Sequence, residues 1–399
     1  MRHGMSPGHR LHLLEGGQAL FAAMVSAIDA ARDSVWLETY ILQRGAQTEA
    51  LVQALAAAAQ RGVQVHVTVD GVGTGILPAA LAALWTQAGV QYEVFAPLGR
   101  LGLLVPSQWR RLHRKLCVVD ARIAFCGGIN VLDDWVEPDG ERLHAPRLDF
   151  AVQVEGPLVG EVAASMQSLW WRMSASQRLR HADWVGALAQ VREGQRALPV
   201  RQGDLATPGV WASWVERDNV SHRSRIERAY LRAIGRAQRE VLLAHAYFVP
   251  GRRLRRALKQ AVARGVRVRV LLQSRYENFM QFHAAQPVHH DLMRSGVELY
   301  RYVPSSLHAK VAVVDGEWAT VGSSNLDPLS LLLAREANVL IQDAAFAGPL
   351  QARLEAVMRV DSLRIDAAIL AARTWRERLR DHLAYGLMRV ALWLTGRRY

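Results

Sequence analysis

The sequence predicts an α/β protein made of two pseudo-symmetric halves, each a mixed β-sheet flanked by helices. Three observations support this: a short motif that occurs twice, strand-like blocks that recur in the same order, and helical patterns between the blocks. With 399 residues, half of them apolar, the chain is long enough for two domains. We predict domains at 1–195 and 196–362, a connection near 187–208, and a helical tail at 363–399.

The repeated motif is a set of His, Lys, Asp, Gly and Asn with the same spacing in both copies. Its members are His113, Lys115, Asp120, Gly127 and Asn130, and then His308, Lys310, Asp315, Gly322 and Asn325. Both copies are intact. We therefore expect one active site built from two halves, each supplying a His and a cation that binds phosphate.

The lysines are informative because the chain otherwise uses Arg. Of 49 basic residues only three are Lys, and two of them, Lys115 and Lys310, share one motif position; the third is Lys259. Lys is a compact point charge on a flexible stem, whereas Arg is a planar fork. A crowded site that grips one phosphate oxygen favours Lys.

Strand-like blocks rich in β-branched and aromatic residues recur in both halves. They cover 34–40, 61–70 and 88–97, with counterparts at 241–247, 264–273 and 295–304. Helical patterns at 51–60, 79–88, 254–263 and 291–295 lie between them. This alternation predicts a sheet in each half with helices packed on it.

Each motif predicts a β-hairpin whose turn contains the motif Asp. His113 and Lys115 are two residues apart, so on a strand both side chains project from one face. The residues after each hairpin are small or carry amides, which allows the backbone to approach a ligand closely. These candidate ligand-contacting residues are Gly128 and Asn130, and Ser323 and Asn325.

The net charge of +13 favours an anionic partner: nucleic acid, anionic lipid or a phosphorylated substrate. The only two cysteines, Cys117 and Cys126, are expected to be buried core residues rather than a disulfide or metal pair. Neither a secretory signal nor a long apolar stretch is present, so we expect a soluble or peripheral cytoplasmic protein without a transmembrane helix.

Two segments have the composition of membrane-surface elements. Residues 98–111 mix apolar side chains with arginines immediately before His113. The carboxy-terminal tail predicts an amphipathic helix, for which two interpretations are open: it binds a membrane interface, or it docks on the protein's own core. Its apolar stripe comprises Trp375, Leu379, Leu383, Leu387, Val390 and Leu394.

The doubled motif resembles that of the phospholipase D superfamily. Flanking sequences at 13–17, 37–41, 246–250 and 322–327 are similar to bacterial cardiolipin synthases, in particular their short B-type form. The resemblance covers roughly residues 10–360. It implies two phospholipase D-type α/β domains with the active site at their interface.

The resemblance also implies a two-step phosphatidyl transfer between two phosphatidylglycerol molecules, giving cardiolipin and glycerol. One His attacks phosphorus and forms a phosphohistidine, while the other protonates the leaving glycerol and then deprotonates the acceptor hydroxyl. Imidazole suits both roles near neutral pH. By family habit His113 is the nucleophile and His308 the acid and base.

For the remaining candidates the resemblance implies supporting roles. Glu336 and Asp149 are expected to orient the histidines, with exposed salt bridges as the alternative. Asp120 and Asp315 belong to the motif, but their place in the turn favours a structural role. Oxygen-binding groups would be Lys115, Lys310, Asn130 and Asn325, with no metal or cofactor.

The implied partners are phosphatidylglycerol and an anionic membrane surface, at the cytoplasmic face of the bacterial inner membrane, and no nucleic acid. Rival functions are a phospholipase or nuclease that uses water, and a transferase that uses another alcohol or phosphatidylethanolamine. A catalytically inactive lipid-binding scaffold is a rival of another class. Both intact His-Lys pairs count against it.

Overall fold

The computed structural model describes residues 4–99, 102, 110–180, 209–218, 224–274, 279–327, 334–366 and 374–394. Within these ranges the chain is an α/β protein, as predicted. The connection predicted near 187–208, and most of the apolar loop predicted at 98–111, lie outside the described residues.

The first half alternates strands and helices and then ends in an antiparallel meander and a long helix. Its elements are β1 (Ser6–Glu15), α1 (Gly16–Asp29), β2 (Ser34–Thr39), α2 (Glu49–Gln60), β3 (Gln64–Asp70), α3 (Ala79–Ala88), β4 (Gln91–Phe95), β5 (Arg111–Leu112), β6 (Leu116–Val119), β7 (Ile123–Gly127), β8 (Phe150–Glu155) and α4 (Leu158–Arg180). Strands β2, β3 and β4 pair in parallel, whereas β6, β7 and β8 pair antiparallel.

The second half repeats this order. Its elements are β9 (Val210–Arg217), α5 (Arg225–Arg236), β10 (Glu240–His245), α6 (Arg252–Ala263), β11 (Arg267–Gln273), α7 (Phe279–Met293), β12 (Glu298–Tyr302), β13 (Lys310–Val314), β14 (Trp318–Gly322), β15 (Ala334–Gln342), α8 (Ala344–Val360), β16 (Ser362–Arg364) and α9 (Trp375–Leu394). Here β10, β11 and β12 are parallel, and β13, β14 and β15 antiparallel. Each half is therefore a mixed sheet.

Strand β1 joins the two sheets edge to edge. It pairs antiparallel with β8 on one side and with β9 on the other, while β9 also pairs with β15. The order is β16-β12-β11-β10-β13-β14-β15-β9-β1-β8-β7-β6-β2-β3-β4. Sequence repetition predicted a sheet in each half. It did not show this junction, because β1 has no counterpart among the repeated blocks.

Three predicted helices, at 51–60, 79–88 and 254–263, lie within α2, α3 and α6. The short helix predicted at 291–295 is wrong in extent, since α7 spans Phe279–Met293 and ends before 295. Pro287 lies inside α7 and several polar side chains interrupt its apolar pattern. Its buried positions Ala285, Val288 and Leu292 still have helical spacing.

One apolar cluster continues through both halves. It contains Phe150 and Val152 of β8, Val339 of β15 and Leu350 of α8, all fully buried. Burial of this kind favours a fixed arrangement of the two halves. Both cysteines are free and buried, which confirms their prediction as core residues.

Asp120 and Asp315 lie in the turns of the two motif hairpins, and each binds backbone N–H groups of a neighbouring segment. Both have left-handed backbones, with φ of 50° and 55°, a conformation that Asp tolerates better than most residues. The Asp120 carboxylate accepts backbone N–H bonds of 2.8–2.9 Å from residues 32–34, and Asp315 does the same for 238–240. Each lies about 16 Å along the strand from its motif Lys, away from the histidines.

We predict that Asp120→Ala lowers the free energy of unfolding by about 2 kcal/mol, because three backbone donors lose a charged acceptor. Urea denaturation followed by circular dichroism measures this. Arg122→Ala, at an exposed position in the same turn, is the control and should change stability by less than about 0.5 kcal/mol. Unchanged stability of Asp120→Ala together with lost activity would assign the carboxylate to the chemistry instead.

Candidate active site

Each histidine follows a segment that pairs with the backbone of the other half. β5 runs parallel to the start of β15, and the backbone N–H of His113 donates to the carbonyl oxygen of Arg335 at 3.1 Å. In the same way, the segment before His308 forms a parallel bridge with Leu148, and the backbone N–H of His308 donates to the Leu148 carbonyl at 2.9 Å. Each half thus contributes one segment that pairs with the backbone of the other half.

This pairing brings each histidine to a carboxylate of the opposite half. Nδ1 of His308 and Oδ2 of Asp149 form a hydrogen bond of 2.7 Å. Nδ1 of His113 and Oε1 of Glu336 lie 2.9 Å apart, although they are not aligned as a hydrogen bond. Both carboxylates are buried, whereas the imidazoles are 17% and 23% exposed. The orienting residues proposed from sequence therefore lie beside the histidines.

The two carboxylates are supported differently. The Ser323 hydroxyl donates to Glu336 at 2.5 Å, while Asp149 accepts the backbone N–H of Phe150 at 2.8 Å. A β-carbon at Gly128 would lie 2.3 Å from an Asp149 oxygen, so a larger residue here would displace the Asp149 carboxylate. Gly128 and Ser323 occupy equivalent positions after their hairpins. The longer Glu336 thus lies beside a serine, whereas the shorter Asp149 lies beside a glycine.

The motif lysines lie behind the histidines. Nζ of Lys115 donates to the carbonyl oxygen of His113 at 2.7 Å, and Nζ of Lys310 donates to that of His308. Both lysines are buried. Burial lowers the pKa of Lys115 to about 7, although the Glu336 carboxylate opposes the shift.

A cavity of about 220 Å³ lies between the two halves, and both histidines line it. Tyr40 contributes to its wall and packs its ring against His113, with 5.0 Å between ring centroids. Tyr247, at the equivalent strand end of the second half, lines it as well. Groups of both halves therefore line one cavity.

The two motif asparagines differ in their surroundings. Asn130 lines the cavity and its Oδ1 accepts the backbone N–H of Ile41 at 3.2 Å, which leaves the amino end of the amide for a ligand. Asn325 is buried, and its Oδ1 has no hydrogen-bond partner among the described residues. The predicted pair of donors is therefore not symmetric in this structure.

Residues 131–148 of the first half reach over the second half and close one side of the cavity. Glu137 accepts hydrogen bonds from Ser306 and from Arg147, the latter at 2.9 Å. Arg147 lines the cavity near His308. Sequence reasoning missed Glu137 and Arg147. The insertion before Asp149, relative to the second half, was the available signal.

A third missed residue is Arg114, between His113 and Lys115. Its guanidinium is 1% exposed and binds Glu38 of β2 with two hydrogen bonds of 2.9 and 2.8 Å. It also binds Glu216 of β9 at 3.1 Å. The second copy of the motif has Ala309 at this position, so the network exists once and fixes the first motif against β9.

The electrostatics distinguish the two His-carboxylate pairs. Burial raises the pKa of Asp149 to about 7, although Lys310 opposes this shift. Burial, with the charge of Lys310, lowers the pKa of His308 well below its usual value. Burial also lowers the pKa of His113, but the nearby Glu336 opposes the shift. His308 and Asp149 therefore share one proton, which the pair loses near neutral pH.

Among the described residues, no group of three or more His, Cys, Asp or Glu side chains could hold a metal ion. Positive charge near the cavity comes instead from Lys115, Lys310 and Arg147. Two imidazoles, two buried carboxylates and these cations form a site suited to an anionic ester. Such a site can supply a nucleophile, a proton donor and charge stabilisation.

Comparison with known proteins places this site in a family. The family described as "Cardiolipin synthase, PLD-like domain" matches residues 24–144 and 230–358, one segment in each half. Cardiolipin synthase B of Escherichia coli K12 is 36% identical over 399 residues, covering 98% of this chain and 90% of that protein. Cardiolipin synthase A of Pseudomonas putida GB-1 is 34% identical, over 85% of this chain and 66% of that protein.

Solved structures agree on the fold. Phosphatidylserine synthase of Haemophilus influenzae Rd KW20 aligns with a TM-score of 0.66 at 11% identity, over 97% of this chain and 93% of that one. Polyphosphate kinase of Porphyromonas gingivalis aligns with a TM-score of 0.55 at 14% identity, over 90% of this chain and 49% of that one. The resemblance inferred from the motifs is confirmed: the chain belongs to the cardiolipin synthase family of phospholipase D-type enzymes.

Proposed function

We propose that this enzyme transfers the phosphatidyl group of one phosphatidylglycerol to the headgroup hydroxyl of a second, releasing glycerol and forming cardiolipin. One observation carries the proposal: two histidines, each beside a buried carboxylate of the other half, face a single cavity. Family membership supports phosphatidyl transfer. The proposed location is peripheral, at the cytoplasmic face of the bacterial inner membrane, where both lipid substrates would be available.

In the first step we assign the nucleophile to His113. Its Nδ1 lies beside Glu336, which leaves Nε2 to attack phosphorus, and the bond from phosphorus to the glycerol oxygen breaks. The resulting phosphohistidine carries positive charge on its ring, which an ionised carboxylate stabilises. The Ser323 hydroxyl donates a hydrogen bond to Glu336 and helps to hold that side chain beside the ring. His308 gives its proton to the departing glycerol oxygen.

In the second step His308 is neutral and accepts the proton of the acceptor hydroxyl. The acceptor oxygen attacks phosphorus, the phosphorus–nitrogen bond breaks, and His113 regains its lone pair. An acid that becomes a base works best when its pKa lies near the working pH. Burial lowers the pKa of the His308 ring itself, so near neutral pH we assign the proton to the His308–Asp149 pair, in which the pKa of Asp149 is about 7.

Negative charge accumulates on the non-bridging oxygens at both transition states. We assign its stabilisation to Lys115, Lys310 and the amino group of Asn130, with Arg147 at the side of His308. Buried cations act strongly here, because little water screens them. The lysines bind carbonyl oxygens in the free protein, and a bound phosphate would compete for the same ammonium groups.

The first test is product analysis. Purified protein incubated with phosphatidylglycerol in detergent micelles should release glycerol and cardiolipin in equal amounts, separated by thin-layer chromatography and mass spectrometry. Phosphatidic acid as the sole lipid product would make the enzyme a hydrolase. Absence of lipid turnover would refute the proposal. His113→Ala and His308→Ala should each lose at least about 1000-fold in kcat, because each role is filled once.

A substrate with a better leaving group separates the roles of the two histidines. With phosphatidyl-p-nitrophenol, His308→Ala should release a burst of one equivalent of nitrophenol, since departure needs no acid but the second step needs a base. His113→Ala should show no burst. The control His144→Ala, at an exposed position, should turn over like the wild type. A burst in His113→Ala alone would reverse the assignment.

The pH profile tests the proton shared by His308 and Asp149. We expect kcat/KM to fall as the pH rises above about 7, because the pair loses its proton and Lys115 loses its charge in the same range. Asp149→Asn removes the charge that helps His308 to hold a proton, so the alkaline limb should move to lower pH. Asp139→Asn, an exposed control, should keep the wild-type profile. A wild-type profile that stays flat up to about pH 9 would contradict this account.

A further inference from the structure

The carboxy-terminal helix α9 uses one face to dock on the enzyme. On this face, Asp381 and Ala384 are buried, and Tyr385 and Met388 pack on the core. The Asp381 carboxylate binds Nδ1 of His283 in α7 at 2.6 Å. Spacings of three, four and seven residues define a single helical face. The helix is therefore held on the second half by a specific polar contact as well as by apolar packing.

The opposite face of α9 is apolar and exposed. Its five members lie within about 120° of one another around the helix. The docked face is centred roughly half a turn away. The exposed fractions are 70% for Trp375, 51% for Leu379, 58% for Leu383, 61% for Leu387 and 54% for Val390. Core docking and membrane binding were alternatives in the sequence analysis. In the structure one face of α9 docks on the protein, and this apolar stripe is exposed to solvent on another face.

Basic side chains flank the exposed stripe on both sides. At about 100° per residue, Arg380 lies just beyond one edge, Arg376 lies within the stripe near that edge, and Arg378 and Arg389 lie beyond the other edge. All four are exposed. The two acidic residues of the helix lie on the docked side: Asp381 binds α7, and Glu377 accepts hydrogen bonds from Thr374 at the helix start. The outward half of α9 is thus an apolar stripe between two rows of positive charge.

We propose that this outward face of α9 binds the surface of an anionic phospholipid bilayer, with the helix axis in the membrane plane. An apolar face inserts at the boundary of headgroups and acyl chains, and flanking arginines meet lipid phosphates. The helix is 20 residues long, but none of the helices in the described ranges is apolar enough to cross a bilayer. The inference does not depend on which reaction the active site performs.

Charge complementarity favours a bilayer over a second copy of this chain. Two copies joined through this face would bring their arginine rows together and leave like charges close to each other. An anionic surface neutralises both rows at once. Because α9 is fixed to α7 through Asp381 and His283, binding would also hold the catalytic body at the membrane.

The test is sedimentation of the full chain with phosphatidylcholine vesicles that contain phosphatidylserine, an anionic lipid outside the proposed reaction. A triple variant, Leu379→Glu, Leu383→Glu and Leu387→Glu, should bind at least about ten-fold more weakly, because the apolar insertion is lost. Neutralising Arg376, Arg380 and Arg389 to Gln should weaken binding about five-fold per arginine at low salt. The wild type should also bind less as salt increases.

Leu363→Glu is the matched control, since Leu363 is 66% exposed on the edge strand β16 and lies off the helix. It should bind vesicles like the wild type. Wild-type binding by the triple variant would overturn the proposal. Loss of a wild-type dimer without a change in vesicle binding would do the same, since the face would then be a subunit interface. Turnover in detergent micelles, measured in parallel, should be the same for the triple variant and the wild type. If neither the wild type nor any variant shows turnover, the proposed reaction is refuted, but the vesicle-binding result still holds.

Discussion

The contact of each motif histidine with a carboxylate of the opposite half is the constraint on which the active site depends. His113 reaches Glu336 on β15, and His308 reaches Asp149 at the start of β8. Neither half alone could orient its own imidazole in this way. The reciprocal backbone pairing of β5 with β15, and the junction of both sheets through β1, keep the two contacts in place. A rigid interface of this kind positions reacting groups before substrate arrives.

Within this symmetry the two halves differ in the groups that surround each histidine. Glu336 accepts a hydrogen bond from Ser323 and is suited to support a cationic intermediate on His113. Asp149 lies beside Gly128, and its pKa of about 7 suits it to share a proton with His308 near neutral pH. Arg114 ties the first motif to β9, and its counterpart in the second motif is an alanine. The two histidines thus have equivalent positions but different surroundings, and on this difference we base the proposal that one is the nucleophile and the other transfers protons.

The repeated motif and strand blocks were enough to predict the α/β class, three helices in the right places and the hairpins. The histidine partners followed from family resemblance, but the crossing of partners between halves did not, because spacing along a chain does not show which segments exchange. Glu137, Arg147 and Arg114 were missed since their importance arises from contacts across the interface. The helix α7 was misjudged because Pro287 and polar residues interrupt its pattern. The two uses proposed for α9 were treated as alternatives, although opposite faces of one helix can serve both.

The crossing of partners can be measured directly by ¹⁵N NMR of the imidazole rings. The chain has 14 His, so the signals of His113 and His308 would be assigned with single His→Gln variants. Glu336→Gln should change the ring shifts of His113 most, and Asp149→Asn those of His308, although each carboxylate belongs to the other half. If each substitution instead affected mainly the histidine of its own half, the two sites would be separate and the account would be wrong.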